Sequence, residues 1–585
     1  MDKQGKIGIA LTIIVLIAWQ IYTAKTYKPP VTPLAATATA SPVEGATATA
    51  TPQNATASTG TKKPAVPVEE TVPVQTQKIA TPSVDFVFTN HGGGILRAEL
   101  LQHAAEDDHH VTLNEYGTIP IGALSEKAGE GANAAYTVTG NMTNGVTYER
   151  TTSDQIQITK KFTLPTAGTE KDQYITTLDV TFANRGDKAF KSDGYFIYVG
   201  SAAPIHVHDM PMYIGYDWYR NGKATDINVM SFSAGKIPLI GYETSSEKKS
   251  ITASADSISW AGTYSQYFTS IVTAIGGSGN RAWATRFPVD ITTRLAGAEW
   301  ERKNPGATPV SYVIDGALGM PAVDLQPGAT VTQKFQIYTG PRQYQVLKQL
   351  DGGEKEILQF GMFGFVSKLL LSAMNFIKPF VGSYAVAIIV LTLLIKSLLW
   401  PWQNKATQSM KKMQALSPKM TEIKEKYKDD PTRMNQETMK LYKDYGINPF
   451  GGCLPMIIQL PVFFGFYRML GTAIELRNST FFWVHDLSQP DTVFILAGIH
   501  INILPLCMAA TNVWMMTITP NSGDKTQQRM MMFMPLIFLF ICYNYASGLA
   551  LYMMVQNLFS VAQLYLTRNQ VAPIPQKVAV AKKKR

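Results

Sequence analysis

Hydrophobic positions along the chain follow three different patterns. Long apolar runs occupy Ile7 to Tyr22 and, in the last third, about 381 to 400, 449 to 470, 493 to 516, 530 to 546 and 548 to 567. Each approaches the roughly 20 residues that a helix needs to cross a hydrocarbon core. From Val84 to about Tyr344 the chain instead alternates over short segments broken by Gly, Asn and Asp, as in "QIQITKKFTLP" and "VTQKFQIYTGP". In the second segment Val331, Gln333, Phe335 and Ile337 share one face, while Lys334 and Gln336 point away. Many such strands without a long helix predict a large β-sandwich. Residues 29 to about 80 are Ala, Thr and Pro with almost no large apolar side chains, so burial cannot offset the entropy of ordering them. They read as a flexible tether.

Two further segments have helical periodicity without the length of a span. "EKEILQFGMFGFVSKLLLSAMNFIKPF", within 346–380, has few charges but is broken by glycines and a proline, which fits an interfacial amphipathic helix. Between 401 and 446, Met413, Leu416, Met420, Ile423 and Tyr427 recur at three- and four-residue steps. After "KDDPT", Met434, Thr438, Leu441 and Tyr445 repeat the pattern, predicting an antiparallel helical hairpin. Its methionines are either the seam of the hairpin or a polarizable binding face, and the two uses are compatible.

Charge orients these elements. Lys3 and Lys6 precede the first run, and "TAKTYKPP" offers no good cleavage site, so 1–24 reads as an uncleaved signal anchor with its basic flank in the cytoplasm. Six spans then put 401–446, 518–529 and 568–585 inside, and all three are rich in Lys or Arg. The expected organisation is anchor 1–24, linker 25–82, sandwich 83–345, interfacial helix 346–380 and spans 381–400, 447–470, 492–517, 530–546 and 548–567, with an outer loop at 471–491. Both termini are cytoplasmic and the sandwich lies outside. The formal net charge of +10 is explained by these cytoplasmic segments without invoking DNA.

Candidate chemistry is sparse. Cys453, Cys507 and Cys542 all lie in apolar stretches, with no disulfide framework and no metal-ligand spacing. No nucleotide loop or nucleophile triad is present, and no cofactor is implied. His206, His208 and Asp209 imitate a metal site, although loop histidines of this kind are more often structural. The informative residues are polar groups inside spans. Thr392 and Lys396 share one helix face; Gln556, Ser560 and Gln563 share another; Gln459 lies between Pro455 and Pro461, and Asn512 near the inner end of its span. Such residues face either a wet cavity or a neighbouring helix through ordinary hydrogen bonds. Lys396 lies four residues from the Trp400-Pro401 end, so its stem also has the reach to snorkel to the headgroups.

"NPFGGCLPMIIQLPVFFGFYRML", "IELRNSTFFWVHDLS" and "ASGLALY" closely resemble the YidC/Oxa/Alb family of membrane protein insertases over roughly 355 to 567. "VDFVFTNHGGGILRAELL", "SISWAGTYSQYFTSIV" and "IYTGPRQY" resemble the periplasmic domain of its Gram-negative members. The resemblance implies an inner-membrane protein with a five-helix insertase core. The core would enclose a hydrophilic groove open to the cytoplasm and to lipid and closed on the outer side. The family's groove cation falls on Lys396, where many relatives have Arg, and Thr392 falls on a position of substrate contact. Tyr552 and Met553 fall on an aromatic pair of the last span, and Ala546 stands where many members have Pro.

The substrate groove expected is thus Lys396, Thr392, Gln459, Asn512, Gln556, Ser560, Tyr552 and Met553, with Met413, Met420, Ile423 and Met434 of the hairpin receiving clients. Implied partners are nascent membrane proteins, the Sec translocon, membrane lipids and, through the basic tail and cytoplasmic loops, the ribosome. The competing readings are a membrane-anchored carbohydrate-binding or mutarotase-like protein, for which five additional spans are unexplained, and a transporter, for which no repeat of broken helices is visible.

Overall fold

The structure, a computed structural model, describes residues 72–105, 109–165, 168–206, 209–236, 243–290, 310–447, 454–496, 499–519 and 533–567. The anchor, most of the linker, the 520–532 part of the inner loop, His208 and the basic tail lie outside the described residues. The chain divides into two compact units, with the described part of one running from 72 to 340 and of the other from 341 to 567.

The first unit is built on two large sheets, with two short two-stranded ribbons beside them. Strands β1 (Thr76–Ala80), β2 (Val84–Thr89), β3 (Gly94–Ala104) and β4 (His110–Leu113) form an antiparallel sheet in chain order. It packs on a thirteen-stranded sheet, with Phe88 edge-on to Phe162 at 5.3 Å and Phe86, Ile95 and Leu178 fully buried around them. The large sheet starts at Leu124–Ser125 and ends at Thr137–Met142, and within it Arg281–Asp290 pairs residue for residue with Val310–Gly319. The alternation predicted over 331–337 is present: Phe335 and Ile337 are buried, Val331 and Gln333 half-buried, Thr332 and Lys334 exposed. Strand β1 begins inside the segment read as tether, because five residues of mixed polarity have too weak a period to register alone.

The second unit is helical: α1 (Gly364–Val381), α2 (Tyr384–Ala415), α3 (Ser417–Lys426), α4 (Pro431–Asp444), α5 (Leu454–Thr472), α6 (Ile503–Ile518), α7 (Met534–Cys542) and α8 (Ser547–Leu566). Helix α8 packs against α2, α5 and α6, and α1 against α2 and α5. Two of these helices, α2 and α8, are long and apolar enough to cross a membrane, and α6 is a shorter apolar helix.

Four boundaries differ from expectation. The helix that carries the span read over 381–400 does not stop at Pro401; α2 continues to Ala415, carried by the helix formers of "NKATQSMKKMQA". The segment 346–380 is not one helix but a single turn at Tyr344–Leu347, a 3₁₀ turn at Glu354–Leu358 and then α1, with Gly352, Gly353 and Gly361 between them. The start of the span read over 492–517 is a β-ribbon, Thr492–Leu496 paired with Ile499–Asn502, and the helix begins only at Ile503. "TVFIL" and "IHIN" are β-branched and aromatic, and an apolar run alone does not separate strand from helix. Among the described residues of the span read over 530–546, nine are helical, 534–542.

This unit exposes large apolar side chains and buries several polar ones among an apolar core. Leu394, Leu398, Phe540, Ile541, Leu558 and Leu566 are exposed, while Thr392, Lys396, Asn512, Asn557 and Gln563 are buried. In water such a surface would be an aggregation liability; in lipid it is the low-energy surface, and the polar groups are sheltered from hydrocarbon.

Candidate client groove

Three helices bring the polar residues of the bundle together. Lys396 on α2 is only 5% exposed, and its Nζ donates to Ser560 Oγ on α8 at 3.2 Å. Ser560 in turn donates to the Gln556 carbonyl one turn earlier, at 2.9 Å. From α5, Gln459 Nε2 donates to Gln556 Oε1 at 2.9 Å and to the Tyr552 hydroxyl at 3.1 Å. Tyr552, Gln556 and Ser560 succeed one another at four-residue steps, so α8 presents them as one stripe. Among the described residues no carboxylate lies within ion-pair distance of Lys396. Gln459, Gln556 and Ser560 are half-buried rather than sealed. Phe466 stacks on Tyr552 at 4.1 Å, and Trp400 meets Phe559 edge-on at 5.6 Å, so the stripe is walled by aromatic rings.

The remaining expected groove residues make no hydrogen bond to this cluster among the described residues. Thr392 is buried one turn from Lys396, but its hydroxyl donates to the Ile388 carbonyl at 2.6 Å on its own helix. Asn512 on α6 is buried, and its Oδ1 has no hydrogen-bond partner among the described residues. Met553 is buried a turn before Asn557, on the stripe of α8 that meets α6 rather than the stripe that meets Lys396. Asn557, which the sequence reading passed over, donates to the Met508 carbonyl and to Thr511 Oγ1, both at 3.3 Å. Its signal was present: an Asn inside an apolar helix next to Gln556.

At one end of the bundle the loop 486–489 is tied to the start of α8. The N–H groups of Ser547 and Gly548, which a helix leaves without internal partners, donate to Gln489 O and Leu487 O at 2.9 Å each. Ser547 Oγ reaches Asp486 O at 3.1 Å. A Cβ at Gly548 would lie 3.2 Å from the Leu487 carbonyl, so the Ser-Gly pair of "ASGLALY" allows a close approach. Nearby, Asn375 Nδ2 donates to Glu475 Oε1 at 3.3 Å, and burial pushes that carboxyl above its usual range. Asn502 Nδ2 donates to Tyr543 O at 2.7 Å, joining the β-ribbon to the end of α7. At the opposite end of α8, Lys411 Nζ donates to the Thr567 carbonyl at 2.8 Å, a favourable place for a cation at a helix C-terminus.

The hairpin is present as α3 and α4, with Asp430 capping α4 by accepting from Arg433 N at 3.0 Å. Its seam is Leu416, Tyr442 and Ile447 with Met413, Met420, Leu441 and Tyr445 packed against them. Met413 and Met420 are therefore seam residues, and the Tyr442 hydroxyl sits 3.2 Å from Met420 Sδ. Ile423 and Met434 are half-buried, and Met439 is 54% exposed.

In the β domain, Asp209 accepts from Ile205 N, His206 N and His206 Nδ1 at 2.7, 3.0 and 3.1 Å. Burial pushes its carboxyl up, but His206 and the two amides outweigh this and hold it below the usual range. The pair closes a turn, and among the described residues no group of three or more His, Cys, Asp or Glu is placed to hold a metal.

A helical bundle with exposed apolar side chains and a few polar groups buried within it, joined in one chain to a large β domain, is the architecture of a membrane protein. Residues 376–574 match the family described as 60Kd inner membrane protein, and residues 76–373 match the YidC periplasmic domain. The membrane protein insertase YidC of Syntrophus aciditrophicus is 30% identical over 600 residues, covering 97% of this chain and 100% of the relative. That of Syntrophobacter fumaroxidans is 42% identical over 41% of this chain and 44% of its own. A crystal structure of an active YidC insertase with the first transmembrane domain resolved aligns over 85% of this chain and 94% of its own, at 16% identity and a TM-score of 0.35. The chain belongs to the YidC family of membrane protein insertases, with a periplasmic domain and an inner-membrane core. It is an insertase and not an enzyme.

Proposed function

We propose that the polar stripe of α2, α5 and α8 is the groove through which a hydrophobic segment of a nascent protein enters the inner membrane. The observation that carries this reading is Lys396, buried at 5% exposure, hydrogen-bonded to Ser560 and facing no carboxylate among the described residues. An incoming segment with a short polar, often acidic flank is hydrated in the groove and attracted by the ammonium. At an effective dielectric constant of about 20, opposite charges about 4 Å apart attract by about 4 kcal/mol, which lowers the cost of bringing the flank into the membrane. The apolar part then moves along α2 and α8 into lipid, driven by roughly 25 cal/mol per Å² of apolar surface leaving water. No nucleotide is needed for these steps.

The tied end of the bundle faces the periplasm in this reading, so the groove opens to the cytoplasm and to lipid. Six spans cross the membrane with both termini inside, and the face of α1 bearing Phe365, Leu369, Phe376 and Phe380, 58–81% exposed, lies along the bilayer interface. The α3–α4 hairpin receives clients first, through Met439 and the half-buried Ile423 and Met434 beside its seam. The Sec translocon, the ribosome and anionic lipid are partners for the basic loops and tail. Photocrosslinking from Ser560 or Gln556 to a stalled nascent chain tests the groove: adducts are expected at both positions, and adducts confined to exposed Leu558 would place clients on the lipid face instead.

A further inference from the structure

Between α5 and α6 the chain makes a two-residue turn with aromatic rings at its tip. Phe481 and Val484 exchange both backbone hydrogen bonds, N to O at 2.8 Å each way, so Phe482 and Trp483 are the two central residues. Phe482 takes the first central position at φ 48, where such turns carry Gly, Asn or Asp because a bulky side chain is strained there. It is nevertheless 85% exposed, and Trp483 is 40% exposed. In water neither the backbone conformation nor the exposure favours an aromatic residue, so the ring needs an apolar surface outside the chain.

The turn is fixed to its surroundings. Trp483 Nε1 donates to Asp491 Oδ2 at 3.1 Å, and the same oxygen accepts from Leu504 N at 2.6 Å in the first turn of α6. Directly after Asp491 the β-ribbon presents Val493 and Phe494, 46% and 52% exposed. The ribbon is bonded in turn to the end of α7, where the Tyr543 hydroxyl donates to His500 O at 2.6 Å and Asn502 Nδ2 to Tyr543 O at 2.7 Å. Phe540 and Ile541 of α7, 87% and 55% exposed, belong to the apolar surface of the bundle, and the ribbon continues that surface past the helix end.

We propose that Phe482, Trp483, Val493 and Phe494 form a membrane anchor that enters the boundary between headgroups and acyl chains at the end of the bundle where α8 starts. The loop behind the tip is bonded to that end through Leu487 and Gln489, and α8 is long and apolar enough to cross a membrane, so the tip lies at the level where the bilayer ends. Aromatic rings are enriched at that depth. Backbone groups at the tip of a turn have no strand partner and need water, which stops the tip at the boundary rather than in the hydrocarbon. A protein partner is disfavoured, because the indole N–H is the only side-chain donor of the four residues and is already bonded to Asp491, leaving no polar group to fix a register. Lipid requires none.

The test is photocrosslinking of the full chain, alone in nanodiscs of phosphatidylethanolamine and phosphatidylglycerol, with benzoylphenylalanine in place of Phe482 or Phe494 and, as the reference for lipid contact, of Phe540. A mass gain of one phospholipid is expected at all three positions. Trp483 emission, taken as the difference from Trp483→Phe, should be quenched by lipids brominated in the upper part of the acyl chain. Phe482→Gly, which suits the backbone at φ 48, should keep the melting temperature and lose that quenching. A residue that only shapes the turn predicts that Phe482→Gly leaves the quenching unchanged. That result, absence of the phospholipid adduct at Phe482 or at Phe494, or adducts with another part of this chain or a second copy in place of lipid would overturn the proposal.

Discussion

Gln459→Met separates a wet groove from a sealed polar network. The substitution keeps the length of the side chain and removes both donors, the 2.9 Å bond to Gln556 and the 3.1 Å bond to Tyr552. If the cluster were closed to water, Gln556 Oε1 and the Tyr552 hydroxyl would each be left unsatisfied at about 1–3 kcal/mol, a loss of about 2–6 kcal/mol. Because Gln459 and Gln556 are half-buried, water in a wet groove is expected to take the place of the amide, serving Gln556 Oε1 and through it the hydroxyl of buried Tyr552, and to hold the loss below about 1 kcal/mol. Asn557→Ala is the internal reference. Its two 3.3 Å bonds lie in the buried contact of α8 with α6, where Asn557 is 3% exposed, and its removal should cost about 2–3 kcal/mol. Unfolding in mixed micelles titrated with SDS, followed by tryptophan fluorescence, gives both values on one scale. A loss for Gln459→Met as large as for Asn557→Ala would mean a sealed structural network and would remove the wet groove.

Deleting 76–340 while keeping 341–381 should leave insertion of a single-span client near the wild-type rate, since α1 braces α2 and α5; failure at matched protein abundance would contradict this. Met420→Pro removes the bond from Met420 N to Leu416 O and breaks α3 at about 3 kcal/mol, and pulse-labelled clients should insert more slowly although the protein remains. In the β domain burial raises Asp315 to about 7, far above its unfolded value, so the folded state holds the proton more tightly. Its contribution to stability is complete below pH about 4 and is lost as pH rises to about 7, by at most about 4 kcal/mol. Asp315→Asn should flatten that part of the melting temperature against pH; an unchanged slope would show that another group sets it.

Periodicity carried most of the architecture, and it failed where two structures share one pattern. The apolar run from 493 reads equally as helix or strand, and the partner that settles it, Ile499–Asn502, is visible only once the chain has turned. Pro401 looks like a stop, yet the sequence beyond it favours helix strongly enough to continue. The polar stripe of α8 was legible from the spacing of Gln556 and Ser560, but which helix each residue faces was not. Met553 and Tyr552 are adjacent in sequence and about 100° apart around the helix, so only the packing of α5 and α6 sorts one from the other. The Ser547 and Gly548 amides that tie the start of α8 depend on carbonyls some sixty residues away, at Leu487 and Gln489, which no local pattern announces.

The most direct measurement is protease protection of two single-span clients, one with a neutral and one with an acidic outer flank, in Lys396 variants at matched abundance. Lys396→Arg should insert both clients, Lys396→Ala should be impaired in a client-dependent way, and Lys396→Glu should fail for the acidic flank. A residue that only snorkels to the headgroups predicts that Lys396→Ala inserts every client and that moving the lysine to exposed Ser397, about 100° around α2, restores full function. Equal insertion of both clients by the Glu variant would contradict attraction by the buried cation altogether.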